Sequence, residues 1–459
     1  MTGAPERVPG SFRDPSGFVF RRNGTLFRQV NPPYRQEYEA LRSSGLLEEL
    51  VSDRLLVDAP EVDGSRALDP GAVAVLQPEP VPFVSYPYEW SFGMLRDAAL
   101  LTLDIQLRAL DRGFVLKDAS AYNVLFRAGR PVFIDTLSFE RYRPGEPWIA
   151  YAQFCRHFLA PLALIAKIDV RLGSLLGTHL DGVPLDLASR LLPGSTKFKP
   201  GLLTHIHLHA KALGQPGVGP AGTPRPRVSE AGMRGLIGSL RKAVRQLSWD
   251  PKGTEWSDYY SDTNYSAAGT AAKAAKISEW LIKIGGRTCW DLGANNGRYS
   301  RLAADAGYET LAADFDPAAV EQAYRFVRES NERRIHPLVL DLVNPTPARG
   351  WAGTEREGIF ERGPADVALA LALIHHLAIA NNVPLPDVLA TLARMGRSLV
   401  VEWVPKDDSQ IQRMMVARRD VFADYGEDAF RSAVPPHLEI ADRAPIPDSG
   451  RVLYLLRPR

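Results

Sequence analysis

The segment Cys289-Trp-Asp-Leu-Gly-Ala-Asn-Asn-Gly-Arg-Tyr-Ser300 limits what this chain can fold into more than any other. An apolar run enters it, a helical pattern leaves it, and between them stands Asp-x-Gly-x-Asn-x-Gly, formed by Asp291, Gly293, Asn295 and Gly297. Gly293 permits a tight turn whose backbone can approach a ligand with no Cβ in the way. Asn295 is the non-glycine residue that best tolerates positive φ, so it can stand in for a glycine. Gly297 is expected to let the following helix pack close to the strand.

The surrounding sequence alternates short apolar runs with helical stretches, the pattern of a doubly wound parallel sheet. Strands are expected at Thr288 to Leu292, Glu309 to Ala313, Pro337 to Leu340, Val367 to Ile374 and Ser398 to Glu402. Two more, Leu438 to Arg443 and Arg451 to Leu456, flank Pro445, Pro447 and Gly450 and read as a closing hairpin. The second strand ends in Asp314, about twenty residues after the glycines, where a carboxylate can take both hydroxyls of a ribose. The third ends in Asp341-Leu342, placed to meet a base edge. The fourth turns polar only as it leaves the core, at His375-His376. Ligands of open α/β sheets lie at these carboxyl ends.

Residues 254 to 459 resemble the class I S-adenosylmethionine-dependent methyltransferase family. Asp291, Gly293 and Gly297 match that family's acid-x-Gly-x-Gly-x-Gly turn, and Asn295 departs at the middle glycine. The resemblance makes Asp314 the ribose acid and Asp341 the acid near the adenine. His375-His376-Leu377 is similar to a His-His-Leu that often follows the family's fourth strand. A dinucleotide site fits less well, because no Gly-x-Gly-x-x-Gly spacing is present. Methyl transfer is an in-line displacement, so the protein chiefly positions donor and acceptor, with a base where the acceptor must lose a proton. His376 is the first candidate base, His375 the second and Glu402 the third; packing and capping are the alternative for each. A fainter resemblance, on His375-His376-Leu377 and Glu402-Trp-Val-Pro-Lys-Asp-Asp408, is to bacterial methyltransferases related to rhizobial nodulation proteins, and implies a glycan or small metabolite as acceptor. Upstream of the turn, Tyr260, Asn264 and Tyr265 could form a lid or part of the acceptor pocket, with Tyr265 counted among the donor contacts. The alternative is a helix cap at Ser266 with aromatics packed beneath it.

Gly214 to Pro226 is almost wholly Gly, Pro and small residues and reads as a linker. With the amphipathic, basic helix Met233 to Leu247 it forms a segment, 214–250, between an N-terminal domain at 1–213 and a methyltransferase domain at 251–459. That helix suits a solvated face better than a lipid- or RNA-binding one. The N-terminal part opens with a hairpin, Gly17 to Val30, turning at Asn23-Gly24. A helix from Pro33 to Leu47, a strand near Ala72 to Leu76 and a long helix from Leu95 to Arg112 follow. The spacing from Asp118 to Asn123 and on to Asp135 resembles the protein-kinase and aminoglycoside-phosphotransferase superfamily. There the first Asp handles the acceptor hydroxyl while the Asn and second Asp hold magnesium. The resemblance implies an α+β kinase-like domain with Mg-ATP as a second ligand. Departures weigh against phosphotransfer: no Gly-rich loop, Arg28 or Gln29 nearest the lysine position, and Leu116 at the usual His. The alternative is a helical accessory domain in which Asp118 and Asn123 cap turns.

Composition excludes other classes. Lys and Arg number 55 against 53 Asp and Glu, which argues against a protein that coats nucleic acid by charge. Hydrophobic residues at 45% and charged residues at 24% are ordinary globular values. Cys155 and Cys289 are too few for a disulfide framework or a cysteine zinc site, which fits a reducing cytoplasm. The first residues lack the apolar core of a signal peptide, and no apolar run is long enough to span a bilayer. His205-Ile-His-Leu-His209 is read as packing, without metal. The sequence therefore points to a two-domain methyltransferase whose N-terminal domain positions a small-molecule or glycan acceptor. A bifunctional kinase-methyltransferase and a non-catalytic cofactor-binding scaffold are the alternatives.

Overall fold

The computed structural model describes residues 5–213, 227–251, 265–416, 422 and 424–459. The segment Gly214 to Pro226, Tyr260 and Asn264 lie outside them. The chain divides into two compact units, Met1–Asp250 with Gly350–Arg356, and Pro251–Arg349 with Glu357–Arg459.

In the first unit, strands β1 (Glu6–Arg7), β2 (Gly17–Arg22), β3 (Thr25–Val30), β4 (Glu61–Val62) and β5 (Ala74–Leu76) form a sheet ordered β1-β2-β3-β5-β4. The hairpin turns at Asn23 and Gly24, with φ of 51° and 79°, the left-handed pair that a two-residue turn requires. The helix expected over Pro33 to Leu47 is instead two, Arg35–Ser43 and Leu46–Ser52, because Gly45 takes φ 73° and stops the first. Helix Phe92–Asp111 starts three residues earlier than expected, since Ser91 caps it by accepting from the Met94 N–H. It packs against β6 (Phe114–Leu116), β8 (Arg130–Phe133) and helix Glu230–Gln246. The basic helix grouped with the linker in the sequence is thus part of this unit. Its Met233, Ile237, Leu240 and Val244 are buried, and Arg241 pairs with Asp104. Strands β7 (Val124–Arg127) and β9 (Phe139–Arg141) complete two small antiparallel pairs, β7-β8 and β6-β9.

The second unit is built on seven strands: β10 (Thr288–Leu292), β11 (Glu309–Asp314), β12 (Ile335–Val339), β13 (Ala365–Ala370), β14 (Gly396–Trp403), β15 (Leu438–Pro445) and β16 (Val452–Pro458). Their order is β12-β11-β10-β13-β14-β16-β15. The first five are parallel, and β16 lies antiparallel to both β14 and β15. This is an α/β mixed sheet with the antiparallel closing pair expected from the sequence. Strands β10, β13 and β16 are buried on both faces, so they read as apolar runs rather than alternating ones. The edge strand β15 alternates and carries Glu439 and Arg443 outward, charges that discourage further pairing. Helices Ala267–Ile284 and Arg298–Asp305 cover one face through Ile277, Trp280, Leu281 and Ala303, packed on Val367, Leu369, Val400, Leu453 and Leu455. The fourth parallel strand ends at Ala370, four residues before the expected Ile374. Ala372 takes φ 49° and its N–H turns to Glu402 Oε2, at 2.8 Å, instead of a neighbouring strand.

Leu455 is fully buried between sheet and helices. Leu455→Ala should therefore lose about 2–5 kcal/mol. Urea unfolding monitored by circular dichroism measures it; a loss below about 1 kcal/mol contradicts this packing.

Candidate active site

Outward from β10 the chain visits β11 and β12 on one side, then returns to β13 and β14 on the other. The reversal between β10 and β13 leaves a crevice at the carboxyl ends of these strands. A cavity of about 400 Å³ lies there, and Gly293, Asn295, Asp314, Asp341 and His376 all line it. A second hollow of about 40 Å³ shares Gly293, Asn295, Leu371 and Ala372 with the first and is lined also by Tyr265, Lys273, Asp291 and Arg298.

The turn between β10 and its helix owes its shape to three left-handed residues, Gly293, Asn295 and Gly297, at φ 75°, 51° and 80°. At Gly293 a Cβ would sit 3.2 Å from Leu373 Cδ1, so the glycine also keeps the cavity floor clear. Gly297 differs from the sequence expectation. A Cβ there would meet nothing closer than 3.7 Å, so backbone conformation at the helix start, not close packing, demands glycine. Asp314 fixes the turn from the neighbouring strand: its Oδ2 accepts from the Asn295 N–H at 2.8 Å and its Oδ1 from the Asp316 N–H at 2.9 Å. Asp291, one strand over, accepts from the Ser300 hydroxyl at 2.6 Å. Burial raises both carboxyls to about 6. Asp341 is exposed at the rim and accepts from the Val343 N–H at 2.8 Å. Phe315 and Val343 line the cavity while 55% and 47% exposed, so apolar surface lies open beside two carboxylates.

His376 opens the π-helical turn His376–Ala380, and burial lowers its imidazole to about 4, so it is neutral near pH 7. His375 is buried behind it, ring centres 4.2 Å apart, and reaches neither cavity. Burial, His376, Arg451 and Lys273 all hold His375 neutral. Glu402 is likewise outside both linings. Its Oε2 accepts from the Lys273 ammonium at 2.6 Å and from the Ala372 N–H, and the Tyr265 hydroxyl donates to its Oε1. Burial opposes the Glu402 charge, yet Lys273 and Arg451 outweigh it and hold the carboxyl below its ordinary value. Arg451 donates to the Tyr265 oxygen at 2.6 Å and to Asp408 at 2.8 and 3.1 Å; Lys273 reaches the same tyrosine oxygen at 3.1 Å. Ser266 caps its helix by accepting from the Gly269 N–H, so Tyr265 stands just before a helix start and also borders the small hollow.

In the first unit Asp118, Asn123 and Asp135 gather at the ends of β6 and β8. Asp135 pairs with Arg28 at 2.5 Å and accepts from the Ser138 hydroxyl at 2.6 Å, while Asn123 donates to Ser138 at 3.2 Å. Asp118 accepts from the Ser120 N–H and the Gln153 amide, each at 2.8 Å, and burial raises its carboxyl. The histidine run is helical. His205 bonds the hydroxyls of Tyr151 and Ser239 at 2.8 and 2.9 Å, His207 those of Ser189 and Thr196 at 2.8 Å, and His209 stacks on Tyr151 at 4.5 Å.

Sequence reasoning missed Lys273, Arg298, Asp408 and Arg451. Lys273 has no mark among the lysines of its Ala/Lys helix, and Arg451 lies 186 residues from the tyrosine it bonds. Phe315 and Val343 carried a signal that was available: they stand one and two residues after Asp314 and Asp341, acids at or just past the ends of parallel strands.

Among the described residues no helix is long and apolar enough to cross a membrane. No family model matches the chain. Solved structures similar to part of it are S-adenosylmethionine-dependent methyltransferases. One is magnesium protoporphyrin IX methyltransferase of Synechocystis PCC 6803 with bound SAM, 17% identical, covering 44% of this chain and 89% of that one at a TM-score of 0.30. Another is N-methyltransferase NodS of Bradyrhizobium japonicum WM9 with S-adenosyl-l-homocysteine, 13% identical over 41% of this chain and 87% of that one, TM-score 0.31. The bifunctional kinase-methyltransferase WbdD is 12% identical over 44% of this chain and 41% of its own, TM-score 0.32. In sequence, nodulation protein NoeA of Rhizobium meliloti (strain 1021) is 38% identical over 459 residues, which is 98% of this chain and 96% of the relative. The chain belongs to the family of the nodulation protein NoeA.

Proposed function

We propose that this chain is an S-adenosylmethionine-dependent methyltransferase acting on a small-molecule or glycan acceptor, with the N-terminal unit positioning that acceptor. The observation that carries the reading is the cavity at the strand-order reversal, walled by the Gly293–Gly297 turn and Asp314. Its donor set fits the cofactor. Asp314 offers a carboxylate for the two ribose hydroxyls, Asp341 an acceptor for an exocyclic amine, and Phe315 and Val343 apolar surface that a flat base removes from water. Gly293 leaves room that a Cβ would take.

When bound, S-adenosylmethionine supplies a methyl group activated by its sulfonium. The protein's share is placement. The glycine turn and Asp314 hold the nucleoside, and the end of β13 brings His376 to the cavity wall. Neutral near pH 7, His376 Nδ1 or Nε2 can take the proton that an acceptor hydroxyl or amine gives up. His375 backs that ring, and Glu402, with both oxygens engaged, serves the ion network rather than proton transfer.

The first unit supports a divergent kinase-like reading through the β1-β2-β3-β5-β4 sheet and the grouping of Asp118, Asn123 and Asp135. Arg28 already neutralises Asp135, so we assign this unit to acceptor handling rather than phosphotransfer.

Asp314→Ala should weaken S-adenosylhomocysteine binding about 10–100-fold in titration calorimetry; unchanged affinity refutes the ribose assignment. Asp314 and Asp291 are raised by burial to about 6, so each is protonated at pH 5 and ionised at pH 7.5. A diol needs the ionised acid. Affinity should therefore rise up to about tenfold from pH 5 to 7 and then level off, and a flat profile contradicts this. ATP with magnesium at millimolar concentration should leave the melting temperature unchanged. A stabilisation abolished by Asp135→Ala would instead favour the bifunctional reading.

A further inference from the structure

In the first unit, the 3-10 turn Gly194–Phe198 leads into a helical run made of Pro200–Leu202, Leu203–Leu208 and His209–Leu213. Neither the donor cavity nor the Asp118 grouping uses it. Phe198 is 87% exposed, more than any other large hydrophobic side chain among the described residues. Its turn is nevertheless anchored. The buried Thr196 hydroxyl bonds the Pro193 carbonyl at 2.6 Å and His207 Nε2 at 2.8 Å, and the Lys199 N–H donates to the Thr196 carbonyl at 3.1 Å. The base of the turn is thus fixed while its tip, Lys197-Phe198-Lys199, stands in solvent. A single exposed apolar side chain is ordinary on a protein surface. The charge around this one is not. From Leu187 to Leu213 the sequence carries Arg190, Lys197, Lys199 and Lys211 and no Asp or Glu. Arg190 pairs with Asp186, just outside that stretch. Among the described residues Lys197, Lys199 and Lys211 pair with no acid. Along the helical run Thr204, Leu208 and Lys211 are exposed at spacings of four and three, one outward face, while Leu202, Ile206 and Ala210 are buried. Leu208 is 53% exposed there, so open apolar side chains alternate with unpaired ammonium groups.

We propose that the Lys197-Phe198-Lys199 turn, with Leu208 and Lys211 of the helix that follows, docks the first unit on an anionic lipid bilayer surface. The charge complementarity chooses this occupant. A protein partner would strip water from the lysines flanking the ring, and lysine is depleted at the centre of such interfaces. Single-stranded RNA is gripped by several stacking rings beside its phosphates, and this tip offers one. A bilayer takes both kinds of group at once. The Phe198 ring enters the boundary between headgroups and acyl chains, while the lysine stems lie along it and their ammonium groups stay at the lipid phosphates. Each cation adds attraction to a negative leaflet that salt screens. The attachment is peripheral, since no described helix is long and apolar enough to cross a membrane. It is independent of the donor site and would hold whichever group the second unit transfers.

The test is co-sedimentation of the full chain with vesicles of phosphatidylcholine alone and of phosphatidylcholine with about 30 mol % phosphatidylglycerol. The chain should bind the anionic vesicles only, and less as sodium chloride rises from about 0.1 M to about 0.5 M. Lys197→Glu combined with Lys199→Glu should weaken that binding at least about tenfold. Phe198→Ser should weaken it about five- to tenfold, and Phe198→Trp, an aromatic suited to the interface, should keep it. All three side chains are exposed, so every variant should melt with wild type, which reports that it is folded. No binding to anionic vesicles, equal binding to both compositions, or binding that the variants leave unchanged overturns the proposal. Self-association of wild type that Phe198→Ser abolishes in sedimentation velocity would assign the patch to a second copy of the chain instead. Binding of polyuridylate without binding of vesicles, lost in the double lysine variant, would assign it to RNA.

Discussion

Two hydrogen bonds accepted by the Asp314 carboxylate hold the functional end of the C-terminal unit together. One oxygen takes the Asn295 N–H from the turn after β10, the other the Asp316 N–H from the turn after β11. Two adjacent loops are thereby fixed to one carboxylate at the point where the order of the sheet reverses. The three left-handed residues of the first loop give the N–H its direction, and burial of the acid gives it its raised pKa.

Behind this surface the antiparallel strand β16 brings Arg451 beneath the carboxyl ends of the parallel strands. Because β16 runs opposite to β14, its first residues, not its last, lie at the ligand end of the sheet; Trp403 pairs with Val452 in register. The closing hairpin thus delivers a cation to Glu402 and Tyr265 that no parallel strand supplies. Fold and site are linked there: reversing one strand places a charge behind Tyr265, on the wall of the smaller hollow.

Much of this was legible in the sequence because it is local. The Asp291–Gly297 turn, the acid at the end of the second strand and the hairpin around Pro445 and Gly450 each depend on a few neighbouring residues whose backbone needs are strong. The helix break at Gly45 and the early end of β13 at Ala370 were not legible, since apolar periodicity runs through both and only a left-handed residue interrupts the backbone. The ion network was hidden for a different reason. Lys273 and Glu402 lie in a helix and a strand, Asp408 and Arg451 in the loops before a helix and before β16, and nothing in the residues beside each one announces a buried partner. Asp118, Asn123 and Asp135 stood out by spacing, yet spacing gave no sign that Arg28 would pair with Asp135.

The most direct test of the account is a crystal structure of the full chain grown with S-adenosylhomocysteine. The account predicts the ribose hydroxyls within 3.2 Å of the Asp314 carboxylate, as hydrogen bonding requires, with the base against Phe315 and Val343. A ligand bound elsewhere, or seated in the crevice with Asp314 facing only its own backbone partners, contradicts it.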